Sequence, residues 1–115
     1  MPYAASETEF EAMVADALDE LPEVLARAMD NVAIVVDEWP DHDVLGRYEG
    51  VPLTRRSPVE YGGVLPDVIT IYRGPLCADA RDRSDLVAQV RVTVLHEIGH
   101  HFGIDDDRLD ELGWA

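Results

Sequence analysis

The first part of the chain repeats apolar positions at the spacing of an amphipathic helix. Its apolar residues recur three and four positions apart: Phe10, Met13, Val14, Ala17, Leu18 and Leu21. Ser6 is a suitable N-cap, and Glu9 stands three residues later, where it can complete a capping box. The pattern therefore predicts a first helix from about Ser6, and Pro22 predicts the start of a second, short helix that runs to Met29.

Runs rich in β-branched residues predict strands in the middle of the chain. Residues 32–36 form an uninterrupted apolar run, which is typical of a central strand. Residues 68–72 predict a second strand, which Gly74 and Pro75 end. Between them, residues 45–53 predict a short strand that its proline confines to a sheet edge. Residues 55–63 have the composition of an exposed loop.

A long helix is predicted to begin at Ser84 and Asp85. One stripe of it is apolar: Val87, Val90, Val94 and Ile98. The other side carries Gln89, Thr93, His96 and His100. The helix should therefore bury its stripe and turn its histidines away from the core. Gly103 predicts a sharp turn after Phe102, and residues 107–112 predict a last short helix whose apolar contacts are Leu109, Leu112 and Trp114.

Length and charge limit the classes of protein that this chain can form. Its 115 residues, 47% of them apolar, suffice for a single domain over residues 1–115 with one core. The formal charge is −15, from 24 acidic and 9 basic residues, and every basic residue is arginine. Such a chain should repel nucleic-acid phosphates and anionic membranes, so we expect neither as a partner.

The cellular compartment is predicted from what the sequence lacks. Cys77 is the one cysteine, so no internal disulfide can form, which suits a reducing cytosol. No apolar run reaches 18 residues, and the N-terminus turns acidic at Glu7 without basic residues. We therefore expect a cytoplasmic protein without a secretory signal or a membrane span, and we expect it to be a monomer.

The stretch from His96 to His100 reads H-E-x-x-H on the predicted long helix. Two histidines four residues apart lie about 40° apart around a helix axis and roughly 6 Å apart along it. Both imidazoles can therefore bind one metal ion, and Glu97 on the adjacent flank can reach a water on that ion as its general base. His101 points roughly 100° away from His100, which makes it a poor ligand.

A catalytic zinc ion takes three protein ligands, so a third donor must come from beyond the helix. Asp106 is our first choice, because a turn at Gly103 can bring it back over the two rings. Asp105 and Asp107 would replace it if the register differed by one residue. Glu111 is a further candidate if the last helix packs against the long one.

The same residues predict a hydrolytic mechanism. Zinc lowers the pKa of bound water towards about 7 and polarises a carbonyl, and Glu97 would take the water proton and pass it to the leaving amine. The developing oxyanion needs a donor beside the metal. Tyr48, Tyr72 and Arg47 are candidates that the sequence does not rank, and each is also suited to a packing or surface position.

The motif H-E-x-x-H-x-x-G-x-x-D resembles that of zincin metallopeptidases in the form that ends in aspartate. With residues 45–50, 69–73 and 96–113, the chain from about residue 32 onward resembles a family of small bacterial zincin-like proteins, the minimal zincins, long catalogued as a domain of unknown function. The resemblance implies an α+β, zincin-like fold: a small mixed sheet over the active-site helix, N-terminal helices and a very short C-terminal subdomain. It also implies zinc on His96, His100 and Asp106, with Glu97 as general base.

Two features depart from the larger zincin families. Metzincins carry a methionine turn beneath the metal, whereas Met1, Met13 and Met29 all precede the motif here. Only nine residues follow Asp106, so the lower wall of a protease cleft should be nearly absent and the cleft shallow.

Three functions are compatible with these residues. The first is a zinc-dependent metallopeptidase, an endopeptidase that holds an extended peptide or protein substrate along an edge strand. The second is a weak or inactive metal-binding interaction module of the same fold. The third is a hydrolase of non-peptide amides. Glu97 favours catalysis, because a structural metal site needs no general base and is usually closed by a fourth protein ligand.

Overall fold

The computed structural model of the chain describes residues 3–29, 32–41, 43–50 and 67–112. Within these ranges the chain is a mixture of helices and strands, as the α+β prediction requires. Their order is α1 (Glu7–Asp19), α2 (Glu23–Ala28), β1 (Val32–Asp37), β2 (Gly46–Glu49), β3 (Asp67–Tyr72), α3 (Arg73–Asp79), α4 (Arg83–His101) and α5 (Asp106–Leu112). No helix of this described part is both long and apolar enough to cross a membrane.

The described sheet has three strands in the order β1-β3-β2. β1 runs parallel to β3, with Val32 opposite Asp67, and β2 runs antiparallel to β3, with Tyr48 opposite Ile69. The prediction that residues 32–36 form the central strand was wrong for this sheet, because β3 takes that place. One face of β1 packs against the core, but Val35 on the other face is 43% exposed.

The core lies between the sheet, α1 and α4. Its fully buried side chains come from all three: Phe10 of α1, Ile69 and Ile71 of β3, and Val90, Val94 and Ile98 of α4. The predicted stripes of α1 and α4 are thus the faces that the structure buries. α4 is enclosed further than predicted, because Thr93 and Glu97 on its other side are also buried.

α1 begins as its sequence predicts. The Ser6 hydroxyl accepts a hydrogen bond from the backbone N–H of Glu9 at 3.1 Å, which caps the first turn. The Glu9 carboxylate accepts instead from the Tyr3 hydroxyl at 2.7 Å, and so ties the preceding segment to the helix. The expected capping box is thus replaced, within the described residues, by a cap and a link to Tyr3.

α3 was not predicted, because Gly74 and Pro75 read as the end of a strand. The chain instead passes directly from β3 into a seven-residue helix with Pro75 in its first turn, where no backbone N–H needs an intrahelical partner. Gly74 is required at this junction: a Cβ there would lie 2.6 Å from the carbonyl oxygen of Glu38. The segment directly after β1 therefore lies so close to position 74 that α3 needs a glycine there.

The end of α4 is a Schellman turn built around Gly103. Gly103 has φ 79°, its N–H donates to the His100 carbonyl at 2.9 Å, and the Ile104 N–H donates to the Gly99 carbonyl at 2.9 Å. The predicted stop at Gly103 is therefore confirmed. The turn changes the direction of the chain, so that the start of α5 comes back to the end of α4 at Asp106.

α5 rests on α4 at Gly99. A Cβ added to Gly99 would lie 2.2 Å from Cδ2 of Leu109, and Leu109 is fully buried. A methyl group at position 99 would therefore force the buried side chain of Leu109 to move. The predicted contact of Leu109 is confirmed, whereas the side chain of Leu112, Trp114, residues 51–53 of the predicted edge strand and the predicted loop 55–63 lie outside the described residues.

We expect Gly99→Ala to lower the free energy of unfolding by about 1–3 kcal/mol, the usual cost of overpacking. Helix propensity alone would raise the free energy of unfolding by about 1 kcal/mol. A decrease would therefore show that overpacking outweighs helix propensity. In a Leu109→Ala background the new methyl group has room, and the same substitution should be neutral or stabilising. Urea unfolding of the four members of this cycle measures the coupling; equal effects of Gly99→Ala in both backgrounds would contradict the packing.

Candidate metal centre

The last two turns of α4 place the H-E-x-x-H residues at the surface of the helix that faces away from Val94 and Ile98. The His96 and His100 side chains are 26% and 31% exposed, and their ring centroids lie 4.6 Å apart. Glu97, between them in sequence, is only 9% exposed. The helix therefore presents two accessible imidazoles beside one largely buried carboxyl group.

The turn at Gly103 brings Asp106 to both rings. Its Oδ1 atom lies 3.0 Å from Nε2 of His100 and 3.4 Å from Nε2 of His96. Three donor atoms from two elements thus converge on one point. The sequence predicted this convergence from the spacing of the glycine and the acid, and the structure brings these three residues together.

The other acids considered as third donors have no described contact with the two histidines. Asp105 Oδ1 accepts from the backbone N–H of Arg108 at 2.9 Å, which caps α5. Glu111 pairs with the Arg108 guanidinium at 2.7 Å. Asp107 is exposed in the first turn of α5, next to its dipole's positive end. Of the four candidates, Asp106 is the one that the structure sets against the histidines.

The spacing of these donors fits a zinc ion. Ligands about 2.0–2.2 Å from a tetrahedral ion lie about 3.3–3.6 Å from one another. The two distances from Asp106 Oδ1, 3.0 and 3.4 Å, are close to that edge length without any rearrangement of the backbone. Two imidazole nitrogens and one carboxylate oxygen are also the donor types that a catalytic zinc site uses.

Glu97 is close enough to the same group to be considered as a ligand. Donor atoms of His96, Glu97 and His100 all lie within 4.8 Å of one another. However, Glu97 Oε1 lies 3.4 Å from Nδ1 of His100, the ring nitrogen on the side away from Asp106. Asp106 faces the Nε2 atoms of both rings, so it completes the donor set better than Glu97 does.

The pKa values of the two carboxyl groups, Asp106 and Glu97, shift in opposite directions. The hydrogen bond from His100 holds the pKa of Asp106 below its usual value, with the imidazole charges adding to the effect. Burial raises the pKa of Glu97, an effect that the charges of His100 and His96 partly offset. A carboxyl group with a raised pKa beside a donor set is better suited to accept and return a proton than to stay ionised.

β2 lies directly on α4 beside Glu97. A Cβ added to Gly46 would lie 3.0 Å from Thr93 Cγ2 and 3.1 Å from Glu97 Cγ. An open cavity of about 310 Å³ lies at this junction. Its lining is mostly apolar side chains and two motif residues: Val44, Leu45, Val92, Thr93, His96 and Glu97.

The candidate oxyanion donors do not point to the donor set by any contact described. The Tyr48 hydroxyl donates to Asp67 Oδ2 at 2.6 Å, and the Arg47 guanidinium pairs with Asp41 at 3.2 Å. Tyr72 is buried within the sheet at 5% exposure. The described partners of Tyr48 and Arg47, Asp67 and Asp41, lie outside the donor set.

Sequence reasoning missed one buried polar contact next to the motif. His101 Nδ1 lies 2.8 Å from Asp67 Oδ2, and both side chains are almost completely buried. His101, which its helix position predicted to be a poor ligand, is thus a core residue in contact with Asp67. One signal could have indicated this, since His101 falls on the same helical face as Val94 and Ile98, seven and three residues before it.

Comparison with known proteins adds to this geometry. The model of the zincin-like metallopeptidase family matches residues 29–114. A conserved hypothetical protein from Thermo thermophilus has a similar fold, with a TM-score of 0.55 and 24% identity over 94% of this chain and 97% of that one. No curated protein sequence matches significantly. With a family match over three quarters of its length and the sheet, helix and donors in place, the chain belongs to the zincin-like metallopeptidase family.

Proposed function

We propose that the protein is a zinc-dependent peptidase in which His96, His100 and Asp106 hold the metal and Glu97 is the general base. The observation that carries this proposal is the approach of one Asp106 oxygen to Nε2 of both histidines, at 3.0 and 3.4 Å. A second observation supports catalysis over a structural site. Glu97 is a buried carboxyl group that the donor set does not need.

The residues divide the chemistry between them. Zinc, when bound, would supply a Lewis acid that acidifies water and polarises a peptide carbonyl. Glu97 then accepts the proton of the attacking water and returns it to the nitrogen of the leaving amine. Burial raises the pKa of Glu97 above that of a free carboxyl group, which makes its carboxylate a better acceptor for the water proton than an exposed glutamate would be. The negative charge of Asp106 offsets the charge of the cation.

The substrate that we propose is an extended peptide laid along β2. β2 is one of the two outer strands of the described sheet, and through Gly46 it lies against Thr93 and Glu97. A peptide that added to this strand would bring a backbone carbonyl close to Glu97 without any need for its side chains. The apolar cavity beside Glu97 has room for one uncharged side chain next to the cleaved bond.

We expect His100→Ala to abolish stoichiometric zinc binding and Asp106→Asn to weaken it by more than about 100-fold, beyond the loss typical of a residue that only supports a ligand. Asp107→Asn is the matched control: it removes the same charge one residue further on, and should change the affinity less than about twofold. Competition with a chromophoric chelator gives the dissociation constants. Full zinc occupancy in His100→Ala, or equal losses in the two aspartate variants, would refute the ligand assignment.

We expect the zinc-loaded protein to cleave members of a diverse peptide mixture, and Glu97→Gln to reduce cleavage by about 10²–10⁴-fold, the usual contribution of a general base. Zinc affinity should stay within about tenfold, since Glu97 is not a ligand in this assignment. Glu111→Gln, an exposed change of the same kind, should cleave normally. Mass spectrometry of the products would show apolar residues enriched at one position beside the cleaved bond.

A chelator should abolish the cleavage, and zinc should restore it. Cleavage that persists in Glu97→Gln would exclude Glu97 as the base. If the wild-type protein binds zinc but cleaves nothing in the mixture, the peptidase proposal fails and a metal-binding interaction module of the same fold takes its place.

A further inference from the structure

Three polar side chains from three elements meet at one oxygen atom beneath the candidate metal centre. Oδ2 of Asp67 lies 2.6 Å from the Tyr48 hydroxyl and 2.8 Å from Nδ1 of His101. Tyr48 belongs to β2, Asp67 begins β3, and His101 ends α4. We call these three residues the Asp67 cluster.

The direction of the hydrogen bonds in the Asp67 cluster follows from chemistry. A carboxylate only accepts, so the Tyr48 hydroxyl and the Nδ1–H of His101 both donate to Asp67. His101 Nε2 is buried and has no hydrogen-bond partner among the described residues. Such an unmet nitrogen lowers stability, and buried ionic groups in general stabilise a fold less than apolar residues of their size do. Stability alone therefore does not account for the cluster.

The end of β2 also packs against the same carboxyl group. Gly50 follows β2 with φ 153°, and a Cβ there would lie 2.4 Å from Asp67 Cγ and 2.4 Å from Oδ1. Neither the backbone conformation nor the space admits a side chain. Asp67 thus contacts β2 through the Tyr48 hydroxyl and contacts the chain directly after β2 through Gly50.

The two ends of β2 have different supports. At its start, Gly46 lies on α4 against Thr93 and Glu97; at its end, Tyr48 and Gly50 lie on Asp67. β2 is only four residues long. These contacts, together with its pairing with β3, therefore set its distance from α4. His101, the residue directly after His100, contacts the same oxygen and so connects Asp67 to the end of α4.

We propose that Asp67 is a positioning residue, which holds β2 at a fixed distance from the metal ligands through Tyr48 on the strand and His101 on the helix. This proposal rests on the proposed function, in which β2 pairs with the substrate. Asp67 contacts neither substrate nor metal in this arrangement. It acts through the strand that the peptide joins and through the last turn of the helix that carries the ligands.

Tyr48→Phe tests the proposal, because it removes the hydroxyl and keeps the ring. Tyr3→Phe is the matched control, since it removes a tyrosine hydroxyl that also donates to a carboxylate, that of Glu9 at 2.7 Å, outside the sheet. For Tyr48→Phe we expect KM for a cleaved peptide to rise about fivefold, the order expected for one lost hydrogen bond, with kcat within about twofold. Amide hydrogen exchange of residues 47–49 should accelerate by a similar factor, while that of residues 94–98 should not change.

The zinc affinity and the absorption spectrum of the cobalt-substituted protein should be the same in Tyr48→Phe, Tyr3→Phe and wild type, because the ligands are untouched. Unchanged KM and unchanged exchange in β2 would overturn the proposal, as would equal changes in the two variants. If wild type cleaves no peptide, the proposed function fails by itself. The exchange rates then still decide the positioning: faster exchange confined to β2 supports it, and unchanged exchange overturns it.

Discussion

The candidate metal centre depends on one close contact between two helices. α5 packs on α4 where Leu109 covers Gly99, and this contact sets Asp106 within 3.0 Å of His100. The Schellman turn at Gly103 changes the direction of the chain at the right point, but a seven-residue helix has little stability of its own. The packing of Leu109 therefore fixes the position of the third donor, Asp106, after the chain has turned.

Close packing at glycine residues also shapes the other side of the site, at β2. β2 is a four-residue strand that lies close to α4 because Gly46 has no side chain, and it ends where Gly50 meets Asp67. Two glycines thus let a short strand lie close to its supports at both ends. This explains how the described residues place a strand directly beside the donor set.

Features set by local sequence could be predicted well. The stripe of α4, the Ser6 cap and the stop at Gly103 follow from spacing and backbone conformation within a few residues, and they suffice to bring Asp106 near the histidines. What could not be predicted depends on distant contacts. Nothing near residues 32–36 indicates that β3 takes the centre of the described sheet, and nothing near His101 indicates a partner 34 residues earlier.

The three donors lie on segments that differ in local stability. Two imidazoles share a nineteen-residue helix buried along its length, whereas the carboxylate sits on a segment anchored by the side chain of Leu109. Local opening of the chain after Gly103 would detach the acid and leave both rings in place. Any ion held by these three donors would thus exchange with solution when α5 frays, without unfolding of the core around Val94.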